Sequence, residues 1–458
     1  MSGRELPEGW TEARLDDCAL VTQGQSPPGS SYNSTGEGVA FFQGKAEFTE
    51  RQAVVGKWTT EPKKKVRGGA ILLSVRAPVG PTNLAPVDCA IGRGLAGIEP
   101  YPGVDRDYLL WAIRSTVQAL ASQGSGSTFD AVGGDLVRAH VIPLAPENEQ
   151  RRIVEELERR LSHIDAAKAS LLSAAKRLAA AREAIVAVSV TGRLTSQAGA
   201  DEVDPTTRQE ETSAELDRLP PGWDWHPLGD LATMSLGKMV DSKKRTGRNL
   251  TPYLRNINVR WFNFVLSDVD EMDILPSEFE RVSLQEGDLV ICEGGEPGRC
   301  AVWRGAPFAI QKALHRVRPK EGVEATYLAL VLRWWTRRHG FDRYITGTTI
   351  KHLPKEKLRL LPVPLPPSDE QRRIVAEAER RLSLLSAAES VIKVSLHRCE
   401  QLRRSLLAAA FTGKLVPQDP GDEPAEALLE RVRTARAATQ DTPAPRRRAS
   451  RVKKEATA

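Results

Sequence analysis

The sequence is 458 residues long, enough for about three average domains, and its 40% hydrophobic and 27% charged residues exclude general disorder. Five scattered cysteines without a CxxC pair indicate neither a disulfide framework nor a zinc site, and no apolar run approaches the ~18 residues of a membrane span, so we expect a cytoplasmic protein without membrane contact. The net charge of +6 lies at the C-terminus, where 9 basic and 2 acidic residues occur from Arg431 onward, and we predict a basic, disordered tail over residues 416–458.

An internal repeat organises the chain. The segment EQRRIVEELERRLSHIDAA (149–167) returns 221 residues later as EQRRIVAEAERRLSLLSAA (370–388). The same offset relates TGRL to TGKL and the string Gly-Ser-Thr (126–128) to Gly-Thr-Thr (347–349), and LPEGW near the N-terminus returns as LPPGW. Because solenoid repeats are only about 20 to 50 residues long, a period of this length predicts duplicated domains.

Each copy begins with short apolar runs broken by Gly and Pro, such as AILLSVRAPVG (70–80) and DLVICEGGEPG (288–298). These runs predict short strands joined by tight loops. Brief helices are predicted near YLLWAIRSTVQAL (108–120) and ATYLALVLRWWTRRHG (325–340). The pattern predicts an α+β domain over residues 1–146, a second over residues 219–367, and a polar, acidic linker over residues 193–218.

A long helix is predicted after each domain, over residues 147–192 and 368–415. Its apolar residues recur in steps of three and four, the pattern of a coiled-coil seam, although Lys168, Arg182, Glu389 and Arg403 interrupt it. One such helix could simply pack on its own domain, but two matched seams favour pairing of the two helices with each other. The predicted seam residues are Leu157, Leu161, Ile164, Leu171, Leu178, Ile185, Leu382, Leu385, Ile392, Leu396 and Leu406.

Signals at the helix ends support these boundaries. Ser368 and Gln371 have the spacing of a capping box, in which two side chains satisfy free backbone N–H groups at a helix start. Gly192 and Gly413 follow the periodic stretches and suit the left-handed conformation that closes a helix.

No catalytic or metal site is recognisable. A GxGxxG string occurs at residues 92–97, but the IEPYPG that follows contains two prolines and does not open the helix that a dinucleotide site requires. We interpret it as a structural loop. The seven histidines lack metal-ligand spacing, and no phosphate loop, HExxH or Ser/His/Asp pattern is evident. The sequence therefore predicts a binding protein without a metal or cofactor of its own.

These duplicated motifs together resemble the specificity (S, or HsdS) subunit of type I restriction-modification systems. The resemblance covers residues 1 to about 415 and rests on LP.GW, GQSP (24–27), PYLRNINV (252–259), G[ST]T, and PL.P..EQ..I followed by a long helix and TG[RK]L. It implies two tandem target-recognition domains separated by two antiparallel coiled-coil helices. Each domain would read one half of a bipartite double-stranded DNA target, and the helices would act as a spacer.

The resemblance also implies partners. Two methyltransferase (M) subunits would bind this chain and carry S-adenosylmethionine, and restriction (R) subunits would join them with ATP and Mg²⁺, whereas the chain itself would catalyse nothing. A specificity subunit of a methylation-only system, a coiled-coil protein scaffold and a fused enzyme with unrecognised catalysis stay as alternatives.

Basic clusters and the threonines of the G[ST]T motif are candidates for DNA contact, because Lys and Arg bind phosphates and Thr can reach base edges. Each cluster could equally be a solvated surface loop. The candidates are Lys63, Lys64, Lys65, Arg67 and Thr128 in the first domain, and Lys243, Lys244, Arg245, Arg248, Arg337, Arg338, Arg343, Thr349 and Lys351 in the second.

Overall fold

The computed structural model describes residues 6–122, 131–194, 219–240 and 247–440. It has the predicted mixture of short strands and helices, including two very long helices. The chain divides into two compact units: unit 1 comprises residues 1–168 and 397–458, and unit 2 comprises residues 169–396. Each unit therefore contains one α+β domain and part of each long helix.

Unit 1 contains three sheets, two of them antiparallel and one mixed. Their strand orders are β1-β11, β2-β10-β7-β8 and β3-β5-β4-β9-β6. The strands are β1 (Thr11–Arg14), β2 (Ala19–Gln23), β3 (Tyr32–Asn33), β4 (Val39–Phe42), β5 (Trp58–Thr59), β6 (Lys65–Val66), β7 (Ile71–Ser74), β8 (Thr82–Leu84), β9 (Cys89–Ile91), β10 (Leu95–Pro100) and β11 (Val141–Leu144). The helices are α1 (Leu15–Cys18), α2 (Arg106–Ala121), α3 (Gly134–Ala139) and the first half of α4 (Glu147–Val190).

Unit 2 repeats this arrangement, with sheet orders β12-β23, β13-β22-β19-β20, β17-β14-β21-β18 and β15-β16. The strands are β12 (Asp224–Pro227), β13 (Ala232–Leu236), β14 (Leu250–Leu254), β15 (Val259–Arg260), β16 (Asn263–Phe264), β17 (Asp270–Asp273), β18 (Ser283–Leu284), β19 (Leu289–Cys292), β20 (Cys300–Val302), β21 (Phe308–Ile310), β22 (Leu314–Pro319) and β23 (Pro362–Leu365). The helices are α5 (Leu228–Leu231), α6 (Pro276–Val282), α7 (Ala325–Thr336), α8 (Lys355–Leu358) and α9 (Ser368–Ala410). The part of α9 from His397 onward belongs to unit 1, as does α10 (Ala425–Gln440).

The main core of unit 1 lies between the β2-β10-β7-β8 sheet and α2, and that of unit 2 lies between the β13-β22-β19-β20 sheet and α7. In unit 1, Ile71 and Ile98 of the sheet are buried with Leu109 of α2. In unit 2, Ile291 and Val317 are buried with Leu328 of α7. Burial of such a side chain stabilises a fold by about 1.5 to 3 kcal/mol. The short apolar runs therefore form strands because their side chains cover a buried helix face.

The repeated sequence motifs meet where each domain joins its long helix. In unit 1, Trp10 Nε1 of LPEGW donates to Glu149 Oε2 at 3.0 Å, and in unit 2 Trp223 Nε1 of LPPGW donates to Glu370 Oε2 at 3.1 Å. The tryptophan rings lie edge-on to Tyr108 and Tyr327, with centroid distances of 6.4 and 6.2 Å respectively. The LP.GW and EQ motifs thus recur because together they attach the helix to the domain.

The glutamine of the EQ motif fixes the same junction. Gln150 Oε1 accepts from Asp105 N at 2.8 Å, and Gln371 Oε1 accepts from Glu324 N at 2.9 Å. Both glutamines are buried. The predicted capping box at Ser368 is wrong on this point, because the Gln371 side chain binds the backbone that precedes α7 and that of Gly322 and Pro366.

The glycines predicted to close the long helices have the expected left-handed conformation, with φ of +73° at Gly192 and +67° at Gly413. A Cβ atom at Gly192 would lie 2.6 Å from Pro220 Cγ, and one at Gly413 would lie 2.2 Å from Pro7 Cγ. The end of α4 therefore packs against LPPGW in unit 2, and the end of α9 packs against LPEGW in unit 1. Glycine is needed there for both its backbone angle and its small size.

The two long helices run antiparallel within each unit. In unit 1, Asp165 pairs with Arg403 at 2.8 Å and Lys168 pairs with Glu400 at 2.6 Å, so residue numbers rise on one helix as they fall on the other. In unit 2, Arg182 pairs with Glu389 at 2.9 Å. The charged residues that interrupt the predicted seam are thus the ones that form ion pairs between the helices.

The predicted seam residues lie in two environments. Leu157, Leu161 and Leu406 are buried, and they belong to the core of unit 1. The other eight are only half-buried, and three of them, Ile164, Ile185 and Leu382, also pack against the core of their unit. Those eight are Ile164, Leu171, Leu178, Ile185, Leu382, Leu385, Ile392 and Leu396.

The prediction of a disordered tail over residues 416–458 is wrong for α10. Ala425, Leu428, Leu429 and Val432 recur at helical spacing and are buried in the core of unit 1. Arg436 lies over the Tyr101 ring, 4.9 Å from its centroid, and donates to Asp16 O at 2.8 Å. Of the nine basic residues that suggested a tail, Arg431, Arg433 and Arg436 lie in this amphipathic helix, and the other six lie within residues 441–458, outside the described part.

Candidate nucleic-acid interface

The Gly-Thr-Thr motif of unit 2 forms an exposed loop over residues 346–352. Its base is closed by two backbone hydrogen bonds of 2.8 Å between Thr346 and His352, and Gly347 turns the chain with a φ of +86°. The base is tied to the domain because Leu353 N donates to Glu293 O at 2.7 Å. All seven residues are exposed, including the candidates Thr349 and Lys351. The loop therefore offers hydroxyl and ammonium groups from a fixed base.

Arg343 lies next to this loop and faces solvent. The 3₁₀ helix His339–Tyr344 places Phe341 and Tyr344 in the core, which leaves the intervening Arg343 exposed. Its guanidinium carbon lies 5.0 Å from the centroid of the Tyr344 ring. Lys351 Nζ approaches Asp342 Oδ1 at 3.9 Å, a weak surface contact. Arg343 and Lys351 are thus positioned beside the loop with their charges accessible.

Arg337 and Arg338, by contrast, make contacts within the protein. Arg337 pairs with Glu183 of α4 at 3.3 Å, and Arg338 lies over the Trp334 ring at 4.1 Å from its centroid. Burial lowers the pKa of Arg338 from its usual 12.5. Arg338 is therefore half-buried on the Trp334 ring, whereas Arg337 keeps 60% of its side-chain surface exposed beside its ion pair.

The second basic loop is described only at its C-terminal end. Lys243, Lys244 and Arg245 lie outside the described residues, whereas Arg248 is exposed. The backbone on either side of Arg248 is held by Asp273, which accepts from Gly247 N at 2.9 Å and from Asn249 N at 3.0 Å. The structure therefore anchors this end of the loop to β17.

In unit 1, the basic run lies on an edge strand. Lys63, Lys64, Lys65 and Arg67 are all exposed, and Lys65 belongs to β6 at the edge of the five-stranded sheet. Arg67 Nε lies 3.8 Å from Glu99 Oε2, although its side chain keeps 87% of its accessible surface. Lysines on an edge strand also discourage pairing with another chain, so their exposure alone does not assign them to DNA.

The two units share the anchoring of the G[ST]T motif. Thr128 lies outside the described residues, but three residues later Ala131 forms a single antiparallel β-bridge with Arg76. In unit 2, Gly294 and His352 form the bridge at the corresponding positions. The described chain after the G[ST]T motif therefore starts from equivalent positions in the two domains, Ala131 and His352. In unit 2 the structure places Thr349 and Lys351 in one exposed loop, and Lys351 approaches Asp342, the neighbour of Arg343. In unit 1 the Lys63–Arg67 run lies at the β6 edge.

Two exposed apolar side chains next to the candidate loops were not chosen from the sequence. Ile350 has 66% of its surface exposed, and Met239, which precedes the basic loop, has 62%. Base edges in the major groove include the thymine methyl group, which apolar side chains contact. The sequence does not predict whether a single apolar residue in a polar loop is buried or exposed, so these two residues could not be identified from it.

Other functional sites receive no support from the described residues. Gly92 and Gly94 of the GxGxxG string lie between β9 and β10, and Gly97 lies in β10. A Cβ at Gly94 would approach Gln43 O to 2.5 Å, as fits the predicted structural loop. Across residues 6–122, 131–194, 219–240 and 247–440, no His, Cys, Asp and Glu cluster could hold a metal ion. Nor does any helix in that part of the chain have the length and apolarity to cross a membrane.

Comparison with solved structures supports the fold. A chain from a structure of the type I R-M system, solved to explain complex assembly and conformational transition, matches this fold with a TM-score of 0.68. It is 21% identical, and the match covers 90% of this chain and 99% of the other. The HsdS subunit from Thermoanaerobacter tengcongensis gives a TM-score of 0.53, also with 21% identity and the same coverage.

Comparison of sequences covers the whole chain. The EcoBI specificity subunit of Escherichia coli is 22% identical over 97% of this chain and 96% of its own length. A putative MjaX specificity subunit of Methanocaldococcus jannaschii is 40% identical, over 34% of this chain and 37% of its own length. The model of the type I restriction modification DNA specificity domain matches twice, at residues 7–173 and 220–377. The chain thus belongs to the type I restriction-modification DNA specificity family.

Proposed function

We propose that this chain is the DNA-specificity subunit of a type I restriction-modification complex, in which each unit reads one half of a bipartite target. The observation that carries the proposal is the exposed loop at residues 346–352, which lies at the end of a domain that occurs twice in the chain. Two domains with different loop sequences on one chain suit an asymmetric target. Hydroxyl, ammonium and apolar groups on such a loop match the chemistry of base edges and phosphates.

The long helices would hold the two readers apart and bind two methyltransferase subunits. The ion pairs between the helices in each unit support a stiff connection. In this proposal S-adenosylmethionine binds to the methyltransferase subunits, and ATP and Mg²⁺ bind to the restriction subunits. The chain itself carries out recognition and no catalysis, and the complex works in the cytoplasm, where DNA is present.

Half-site exchange tests the proposal. The chain would be produced with its methyltransferase subunits, and the methylated DNA of the host would be sequenced. Because α10 belongs to unit 1, residues 1–146 and 416–440 should be exchanged together for those of a relative. One half of the methylated sequence should change and the other should stay. A change in both halves, or a methylation pattern independent of the chain, would contradict the proposal.

A substitution in the loop gives a finer test. Lys351→Ala should weaken DNA binding of the complex and reduce the slope of log affinity against log salt by about one phosphate contact. Lys357→Ala is the matched control, because Lys357 is an exposed lysine of α8 outside the loop. Equal effects of the two variants would show that the loop has no special part in DNA binding.

A further inference from the structure

A cleft in unit 1 contains two arginines on one tryptophan. Its volume is about 360 Å³, and it lies between α2, the loop before β8 and the end of α9. The guanidinium carbon of Arg114 lies 4.7 Å from the Trp111 ring centroid, and that of Arg403 lies 5.9 Å from it. Two cations therefore approach the same small space from two different helices.

The charge of Arg114 has only neutral partners. Its Nε donates to Thr82 Oγ1 at 2.8 Å and its Nη2 to Thr82 O at 3.1 Å. Over the described ranges, no carboxylate oxygen lies within 4.0 Å of its guanidinium, whereas Arg403 is paired with Asp165. Burial, followed by the charges of Arg403 and Arg51, lowers the pKa of Arg114 to about 10, and the opposing effect of Glu50 is smaller.

Unit 2 contains the same arginine with a carboxylate. Arg114 lies six residues after Tyr108, as Arg333 lies six after Tyr327, and both tyrosines donate to the carbonyl of a proline in the strand before the long helix. Arg333 makes two hydrogen bonds to the carboxylate of Glu183 on α4, one of them at 3.2 Å. The repeat offset of 221 residues places Arg404 where unit 2 has Glu183. Unit 1 thus has an arginine at the position of the neutralising carboxylate.

We propose that this cleft of unit 1 binds a phosphate-type oxyanion between Arg114 and Arg403. A guanidinium group presents parallel N–H donors that match a phosphate, and a bound anion would replace the carboxylate that Glu183 supplies in unit 2. The phosphate could belong to a free phosphate ester or to a DNA backbone. The second source rests on the proposed function, and the first does not.

Phosphate titration of the isolated chain by calorimetry tests the proposal. The wild type should bind inorganic phosphate at one site. Arg404→Glu introduces the carboxylate that unit 2 has, and it should weaken phosphate binding by about tenfold or more, the equivalent of one hydrogen bond to a charged group. Because Arg404 is exposed, this variant should fold. Arg114→Gln should have the same effect on phosphate binding.

Arg398→Glu is the matched control. It makes the same charge change on α9, but Arg398 is exposed and lies six residues earlier, about 240° around the helix. Absence of phosphate binding in the wild type, or equal weakening by Arg398→Glu and Arg404→Glu, would overturn the proposal.

DNA binding of the complete complex then identifies the source. A lower salt slope in Arg404→Glu, with Arg398→Glu unchanged, assigns the site to a DNA phosphate, whereas an unchanged slope with lost phosphate binding assigns it to a free phosphate ester. If the complex showed no sequence preference for DNA, the proposed function would fail while the phosphate titration still decided this site.

Discussion

Replacing Leu428 by Ala tests whether α10 is an integral part of unit 1. The Leu428 side chain is 2% exposed, and its Cδ1 lies so close to Gly103 that an added Cβ there would be 2.5 Å away. A buried Leu→Ala change costs about 2 to 5 kcal/mol, and a helix at the periphery of a core should fall in the lower half of that range because it can shift to fill the space. We expect the free energy of unfolding of unit 1 to decrease by about 2 to 3 kcal/mol.

Hydrogen exchange followed by mass spectrometry locates this effect. Loosening α10 should weaken its contacts with the start of the domain, where Ala425 N donates to Gly9 O at 2.9 Å and Thr11 Oγ1 donates to Glu426 Oε2 at 3.2 Å. Exchange should therefore rise in α10, β1 and α1, and it should stay unchanged in the β13 sheet of unit 2.

Leu402→Ala is the matched control. Leu402 belongs to α9 and has 49% of its surface exposed, so the same substitution should change stability by less than about 0.5 kcal/mol. If Leu428→Ala and Leu402→Ala were equally stable, or if exchange increased evenly in both units, α10 would not be packed as the structure shows.

Three further expectations concern thiols, pH and helix length. In the native protein, iodoacetamide should modify Cys399 first, because Cys399 is only half-buried. Burial raises the pKa of Cys18 and Cys89 to about 12 and that of Cys292 to about 11, which makes these thiols less reactive. Equal labelling of all five cysteines before unfolding would contradict this expectation. Burial raises the pKa of the Glu149 carboxyl in the folded protein above its ordinary 4.5. The protonated carboxyl therefore contributes to the free energy of unfolding below pH 4.5, and this contribution is lost as the pH rises through the pKa of the folded state. Glu149→Gln should therefore reduce the decline in unfolding free energy above pH 4.5, and identical slopes would refute the reasoning. Four residues inserted both after Lys168 and after Leu396, where the units divide, should lengthen the gap between methylated half-sites by about two base pairs. Each insertion adds about one helical turn and roughly 6 Å to its helix. An unchanged gap would show that the helices do not set the spacing.

The candidate interface was only partly accessible from the sequence. Residue types identified basic and hydroxyl-bearing clusters, but they did not distinguish Arg343, which faces solvent beside the exposed loop, from Arg337, which pairs with Glu183. Both are arginines near the same motif. The difference comes from α4, a helix distant in the chain, and no local pattern contains that information.

At the C-terminus, the charge pattern and the apolar spacing point to different structures. The spacing of Ala425, Leu428, Leu429 and Val432 is that of an amphipathic helix, but the surrounding arginines suggested a solvated tail. An isolated helix of this length is marginal in water, so α10 forms because unit 1 supplies an apolar surface for it. That surface exists only in the folded domain.

What the sequence by itself determined was the repeated architecture: two α+β domains and two long helices closed by Gly192 and Gly413. Periodicity and turn residues carry this information because they act over a few neighbouring residues. Only the tertiary structure decided which copy of a motif contacts which. The Glu149 junction lies within one repeat, whereas the Gly413 cap meets Pro7 from the other end of the chain. Two copies of a motif have the same local preferences, so their partners are selected by packing in three dimensions.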